Sequence, residues 1–245
     1  MRRRLVGLGL ILSAAAGLAA AAGWPWEEDP SFGPLGAAWI WLSAGHFERA
    51  AAEAQRIIAK RPSDTEAHLV LALLLQERGD VPRAEREYRL AFPRAADRPY
   101  LETCLGQLHL ARDEWSAAAA HFRAALAASP DLGQAGLGLA QALAGSGRRA
   151  DAIGVLRRLV KASPAWPEAF LYLGDLLESG GADPEELSAV YSQGSANNPN
   201  HPELHLRLAR ALSRLGQTDK AREEYGRVLA LDPENEEARK AVSHN

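Results

Sequence analysis

The feature that most constrains the fold is a proline that recurs with a period of 34 residues. Successive spacings are 68, 34, 35 and 34 residues, measured between Pro62, Pro130, Pro164, Pro199 and Pro233. Periods of about 20 to 50 residues are typical of arrays in which each repeat is one supersecondary unit stacked on the next. Aligned on these prolines, the chain predicts six units, over residues 31–64, 65–98, 99–132, 133–166, 167–201 and 202–235.

Small and apolar residues recur within each unit at the spacing of two packed helices. The eighth position is always alanine or glycine, and it holds Ala38, Ala72, Gly106, Ala140, Gly174 and Ala209. Such residues let two helix backbones approach closely. Leucine pairs such as Leu71 and Leu75 form the buried stripe of a first helix, and a glycine then marks a turn. A second stripe follows this turn and contains Tyr88, Phe122, Leu156, Tyr191 and Tyr225.

Composition favours helices throughout, argues against a nucleic-acid-binding protein and excludes an internal disulfide. Alanine and leucine dominate and aromatic residues make up 7% of the chain, so the local preference is helical and the predicted fold is all-α. The formal net charge of −3 argues against a nucleic-acid-binding surface, which needs a basic excess. Cys104 is the single cysteine, so packing and not an internal disulfide must hold the fold.

Three stretches carry a resemblance to a known family. FLYLGDLLESGG, HLRLARALSRLGQTDKAREEYGRVLALDP and ETCLGQLHLARDEWSAAAAHFRAALAASP resemble tetratricopeptide repeats, in which a leucine with glycine or alanine is followed by a turn, an alanine, an aromatic residue and a closing proline. The resemblance covers Ser31 to Pro233. It implies a right-handed superhelical solenoid of antiparallel helix pairs, each stabilised by its neighbours.

Several positions depart from the repeat pattern. Pro93 should end the second helix of the second unit early, and Asp113 stands where the third unit should have its turn glycine. The fifth unit is one residue longer, and Asp183 with Pro184 should begin its second helix after a longer corner. Residues 236–245 are predicted to form a polar capping helix and a tail.

The N-terminal segment, residues 1–22, has the layout of a secretory signal. Arg2 to Arg4 precede an uncharged apolar run from Leu5 to Ala22, which ends in small residues. The alternative is a retained membrane anchor, with Trp24 and Trp26 at the lipid interface. Residues 23–30 would form a short linker in either case. Both interpretations predict repeats outside the cytoplasm, either in the periplasm or anchored to the inner membrane through residues 5–22 and facing the periplasm.

The family resemblance implies that a protein or peptide partner binds along the first helices, which line a concave groove. The fifth and ninth positions of the units point into that groove, and those predicted to contact the partner are Leu69, Leu73, Thr103, Gln107, Leu137, Gln141, Leu171, Asp175, Leu206 and Arg210. Tetratricopeptide domains that clamp the carboxylate tails of chaperones use lysine and asparagine at these positions, which this chain lacks. An apolar partner such as an amphipathic helix fits better. Alternatively, the leucines pack between adjacent first helices.

No pattern in the sequence predicts an enzyme, a metal site or a cofactor. His201 and His205 have the i, i+4 spacing of two metal ligands on one helix face. Pro202, however, places His201 before the helix, so a structural role is favoured for both histidines.

The resulting prediction is a non-catalytic interaction scaffold of the bacterial cell envelope that assists assembly of an envelope complex. The alternative is a permanent structural subunit of a larger membrane-associated complex, or a scaffold that self-assembles. The sequence leaves the identity of the partner and the oligomeric state open.

Overall fold

The computed structural model describes residues 34–243, and all regular structure in this part of the chain is helical. One 3-10 turn, Ala95–Asp97, accompanies thirteen α-helices. These are α1 Pro34–Ser43, α2 Phe47–Lys60, α3 Thr65–Glu77, α4 Val81–Ala91, α5 Arg98–Leu110, α6 Trp115–Ala128, α7 Gly133–Gly145, α8 Arg149–Ala162, α9 Pro167–Ser179, α10 Pro184–Asn197, α11 Pro202–Arg214, α12 Thr218–Leu231 and α13 Glu236–Ser243. The predicted all-α class is confirmed.

The first twelve helices form six successive helix-turn-helix pairs. Each pair corresponds to one of the units predicted from the proline period, and only Arg98 at the start of α5 precedes its unit by a residue. The described part of the chain divides into two compact units, with the boundary between Gly138 and Leu139 inside α7.

The turn inside each pair explains the recurrent glycine. At the end of α3, Gly79 has φ +75° and the amide of Asp80 donates to the carbonyl of Leu75 at 2.9 Å. This left-handed residue closes the helix by satisfying its last carbonyls. Asp113 takes the same role after α5 with φ +61°, a conformation that aspartate tolerates better than most residues. The aspartate therefore preserves the turn in the third repeat.

In the first unit, residues of both helix stripes form one core. Val70, Leu74 and Leu108 from first helices, with Tyr88 from α4, are each at most 1% exposed. The hydroxyl of Tyr88 donates to Oε1 of Gln76 at 2.7 Å, so the ring is buried without an unsatisfied polar group. The predicted aromatic stripe is therefore part of the core.

Glycine at the eighth position makes room for an aromatic ring. A Cβ atom at Gly106 would lie 2.7 Å from Phe122 Cε1, and a Cβ at Gly138 would lie 2.3 Å from Phe122 Cζ. Phe122 itself is completely buried. The small residues thus permit the close packing of α6 against α5 and α7, as the pattern predicts.

In the second unit, the core contains Leu156 of α8, Phe170 of α9, Leu204 of α11 and Val228 of α12, none of which is exposed. The ring of Tyr191 lies over Gly174, where a Cβ would come within 2.1 Å of the hydroxyl oxygen. The same relation of small residue and aromatic ring therefore occurs in both compact units.

The structure agrees with the departures from the repeat pattern. Helix α4 ends at Ala91, before Pro93, and α10 begins at Pro184 after a longer corner. Helix α13 covers the end of the second unit, where Ala238 is fully buried against it. Its Glu237 accepts a hydrogen bond from Nε of Arg210 at 2.8 Å. The predicted capping helix is thus present.

The predicted signal or anchor and the linker lie outside the described residues. Among residues 34–243, no helix is both long enough and apolar enough to cross a bilayer.

Candidate partner-binding site

In the first unit, most of the predicted contact residues are buried. Leu69 and Leu73 of α3, Thr103 of α5 and Leu137 of α7 are between 3% and 7% exposed. The hydroxyl of Thr103 donates to the carbonyl of Pro99 at 2.8 Å, which satisfies it within its own helix. These four side chains therefore pack inside the repeats, as the alternative interpretation of the leucines states, and present little surface to a partner. Only Gln107 is half-buried.

In the second unit, the predicted residues are more accessible. Leu206 is buried at 6% exposure, whereas Gln141, Leu171 and Arg210 are half-buried and Asp175 is exposed. The second unit thus keeps four of its five predicted contact residues at least partly open to solvent.

Gln107 and Gln141 differ from Thr103, Asp175 and Arg210, the other polar residues of the predicted groove, in their hydrogen bonding. Among residues 34–243, neither the Gln107 side chain nor the Gln141 side chain has a partner. They occupy the ninth position of successive repeats, one in each compact unit. Because a primary amide both donates and accepts, each can bind the backbone N–H and C=O groups of an extended peptide.

The next two ninth positions are engaged within the protein. Oδ1 of Asp175 accepts from Nη1 of Arg207 at 2.8 Å, and Arg210 binds the carboxylate of Glu237 through two donors. The hydrogen bond from Arg210 lowers the pKa of Glu237 below its ordinary value. These two side chains tie α11 to α9 on one side and to α13 on the other.

A cavity of about 280 Å³ lies in the second unit, in contact with three arginines of α11. Its lining residues are Glu178, Leu187, Tyr191, Arg207, Arg210, Ala211 and Arg214. Arg214 pairs with Glu178 at 2.6 Å, and Arg207 also bonds Glu203 at 2.7 Å. All three guanidinium groups therefore have internal carboxylate partners. Arg210 is a predicted groove residue, but the surrounding network could not be predicted from the repeat pattern, since its members come from four helices.

A second set of contacts, not predicted from the sequence, joins the two helices of single repeats. Nδ1 of His68 lies 2.6 Å from Oε2 of Glu87, and its Nε2 lies 2.9 Å from the carbonyl of Pro62. In the second unit, His205 lies 2.6 Å from Glu224 and 3.0 Å from the carbonyl of Pro199. Aligning the repeats could have revealed these pairs, because they occupy the fourth and twenty-third positions of the second and sixth repeats.

The third repeat carries the same pair with its members exchanged. Nδ1 of His121 lies 2.8 Å from Oε2 of Glu102, so here the first helix supplies the glutamate. The paired groups therefore bridge the two helices irrespective of which helix carries the imidazole.

The surroundings of His205 and Cys104 bear on metal binding and on thiol reactivity. Both ring nitrogens of His205 face protein oxygens, which agrees with the structural role predicted for it. Within residues 34–243, no group of three or more His, Cys, Asp or Glu side chains is arranged to hold a metal ion. Burial raises the pKa of the Cys104 thiol to about 12, so the thiol stays protonated and unreactive near neutral pH.

The sequence profile of the tetratricopeptide repeat family matches residues 42–108, 109–173 and 187–244. These segments make up more than half of the chain. No protein of curated function is similar enough in sequence to count as a relative.

Solved structures of low sequence identity share the fold. PilW, described as a widely conserved type IV pilus biogenesis factor, is 20% identical with a TM-score of 0.61, over 86% of this chain and 97% of PilW. PilF of Pseudomonas aeruginosa is 17% identical with a TM-score of 0.59, over 84% of this chain and 94% of PilF. YrrB, described as having an unusual peptide-binding site, is 20% identical with a TM-score of 0.50, over 78% and 98% of the two chains.

Proposed function

Because the chain belongs to the tetratricopeptide repeat family, we propose that it is a non-catalytic scaffold that binds a partner polypeptide along its first helices. Proteins of this family act as protein-interaction scaffolds. The finer assignment proposed here is that Gln107 in the first unit and Gln141 in the second each contact the partner, and that binding of the partner assists assembly of an envelope complex.

One observation carries the proposal: the amides of Gln107 and Gln141 are partly open to solvent and have no hydrogen-bond partner among the described residues. Polar side chains in a scaffold are usually satisfied where they pack against protein, and the ninth positions of the following two repeats are satisfied in this way. The two glutamines therefore remain available for a peptide backbone. Leu171, half-buried on α9, adds apolar surface for the side chains of such a segment.

The envelope location rests on the N-terminal sequence. Three arginines precede an uncharged apolar run in residues 1–22, which supports either export to the periplasm or anchoring to the inner membrane with the repeats facing the periplasm. PilW, a pilus biogenesis factor, has the same fold. The proposal extends this kind of assembly role to the present chain.

The test is a pull-down of the full chain from native membranes in mild detergent, followed by mass spectrometry. Gln107→Ala combined with Gln141→Ala should greatly reduce recovery of the partner without lowering helicity, because neither amide makes a hydrogen bond within residues 34–243. Gln55→Ala combined with Gln193→Ala is the matched control, since both glutamines are exposed on second helices, and it should retain the partner. Equal recovery with both double variants would contradict the assignment of the two contacts.

The same preparation separates the proposed assembly role from a permanent structural role. An assembly factor should be isolated largely free, with the partner below one equivalent. Recovery of the partner at a fixed stoichiometry in every preparation would instead identify a structural subunit.

A further inference from the structure

Helix α1 differs from the other first helices in the surface that it presents. Its ten residues, Pro34–Ser43, include no charged side chain, as is also true of α7, but among residues 34–243 only α1 is a first helix with an exposed large apolar side chain. Ala38 and Leu42 are buried in the core of the first unit, whereas Ile40 on the opposite side is 55% exposed. Trp39 and Trp41 on either side of Ile40 are half-buried. We call Trp39, Ile40 and Trp41 the N-terminal apolar face.

The composition of this face is that of a membrane interface. Tryptophan is enriched where a protein meets the boundary of headgroups and acyl chains, because its ring is apolar and its N–H group can still be hydrated. A branched aliphatic side chain beside two tryptophans supplies the part that enters the apolar region.

An unpaired cation lies at the edge of the face. The guanidinium carbon of Arg49, on α2, is 4.8 Å from the centroid of the Trp41 ring. Arg49 is exposed and has no carboxylate partner among residues 34–243, whereas Arg56 and Arg78 pair with Glu53 and Glu48. A long cationic side chain next to apolar surface can reach the phosphate layer while the apolar groups lie deeper.

The sequence before α1 brings a membrane within reach of this face. The apolar run of residues 5–22 is separated from Pro34 by residues 23–33, which are 11 residues. An extended chain spans at most about 3.5 Å per residue, so this connection reaches about 40 Å or less. A run inserted into a bilayer would therefore keep α1 close to the lipid surface.

We propose that the N-terminal apolar face docks on the surface of an anionic bilayer, with Ile40 as the deepest side chain and Arg49 bound to lipid phosphate. The proposal rests on the envelope location given under the proposed function, but it does not depend on partner binding. It assigns α1 a different task from that of the first helices that carry Gln107 and Gln141.

A single surface cysteine can test the docking in the full chain. Since the only native thiol, Cys104, is buried with a pKa of about 12, a fluorophore sensitive to polarity will label Ile40→Cys selectively. Leu90→Cys is the matched control, because Leu90 is 50% exposed in the same unit. Both variants are reconstituted into vesicles of phosphatidylethanolamine and phosphatidylglycerol, and their folding is checked by circular dichroism.

The expected result is a shift of the emission at position 40 to shorter wavelength, with strong quenching by a lipid that carries a quencher just below its headgroup. Position 90 should show neither effect. Equal emission and quenching at the two positions would overturn the proposal. A shift at position 40 that requires added partner protein would also overturn it, in favour of a protein-binding face.

The role of Arg49 has its own control. Arg49→Gln in the labelled protein should reduce the shift in vesicles with phosphatidylglycerol, and should reduce it less in vesicles of phosphatidylcholine alone, because the phosphate of that headgroup is neutralised by choline. Arg123→Gln, which alters another exposed arginine without a described partner, should leave the shift unchanged. Equal losses with both variants would refute phosphate binding by Arg49.

The Gln107→Ala and Gln141→Ala double variant should keep the lipid contact, so failure of partner capture and failure of docking are distinguishable.

Discussion

At the scale of single residues, close packing determines which positions accept a substitution. The eighth position of each repeat is small because a ring or a neighbouring helix occupies the space where a side chain would extend. Gly106 and Gly174 show this most directly, since Phe122 and Tyr191 lie over them. The helical glycines Gly154 and Gly226, by contrast, have nothing within 4 Å of a Cβ position, and these two kinds of glycine should respond to the same substitution in opposite ways.

Gly106→Ala should destabilise the protein, because the new methyl group would lie 2.7 Å from the buried ring of Phe122. Overpacking of a core typically costs about 1 to 3 kcal/mol. Gly226→Ala is the control, because nothing lies within 4 Å of a Cβ at that position of α12, and it should stabilise the helix by up to about 1 kcal/mol. Urea unfolding followed by circular dichroism measures both. A stabilised Gly106→Ala protein would show that the ring can move aside.

The single thiol provides a second prediction at this scale. Cys104 is 5% exposed, and burial raises its pKa to about 12. A thiol reagent added to the native protein at about pH 8 should react slowly, and unfolding in denaturant should restore the rate of an ordinary cysteine, since the free thiol has a pKa of about 8.5. Fast reaction of the native protein would show that α5 opens to solvent.

At the scale of helices, the contact of α13 with α11 and α12 determines how the second unit ends. Ala238 supplies apolar burial and Glu237 supplies a charged contact with Arg210. A terminal repeat needs such a cover because its outer face would otherwise remain apolar and exposed. The ionic part of this contact makes the attachment of the helix depend on pH.

Glu237 should contribute to stability at neutral pH and lose that contribution in acid. Its pKa in the folded protein lies below the ordinary value of 4.5 because Arg210 donates hydrogen bonds to it. A depressed carboxyl pKa stabilises the folded state above the ordinary value, and the effect is lost as the pH falls through the folded value. Glu237→Gln should therefore narrow the difference in unfolding midpoint between about pH 7 and about pH 3.5.

The control for this prediction is Glu236→Gln on the same helix. The side chain of Glu236 is 84% exposed, and its nearest cation, Lys240, is 3.8 Å away. Exposed pairs of this kind contribute little to stability, so this variant should retain the pH dependence of the original protein. If both variants lose it equally, the ion pair with Arg210 is not its source.

At the scale of the whole molecule, the proposed location follows from the N-terminal segment and not from the repeats. A cleaved signal and a retained anchor both place the repeats outside the cytoplasm. Protease added to spheroplasts should therefore degrade the repeats, while intact cells should protect them behind the outer membrane. Repeats that resist protease in spheroplasts would contradict both interpretations. Recovery of peptides containing Arg4 from the mature protein would distinguish the anchor from the cleaved signal.

What the sequence determined by itself was the order and type of the helices. The proline period, the turn glycines and the stripes of small and aromatic residues act over distances of a few residues or within one repeat. The end of α4 before Pro93, the start of α10 at Pro184, the turn at Asp113 and the capping helix could therefore be predicted. Backbone geometry limits the conformations that these residues can adopt.

Which side chains stay accessible and which are already paired depends on how the helices pack in three dimensions. Leu69, Leu137 and Leu206 occupy predicted groove positions, yet neighbouring helices cover them. Arg210 and Asp175 find charged partners that lie 27 and 32 residues away in sequence. These charged contacts depend on the distances between helices that do not belong to the same repeat, which no pattern within one repeat encodes. Within residues 34–243 they leave Gln107 and Gln141, each in its own unit, as the proposed contacts without a hydrogen-bond partner.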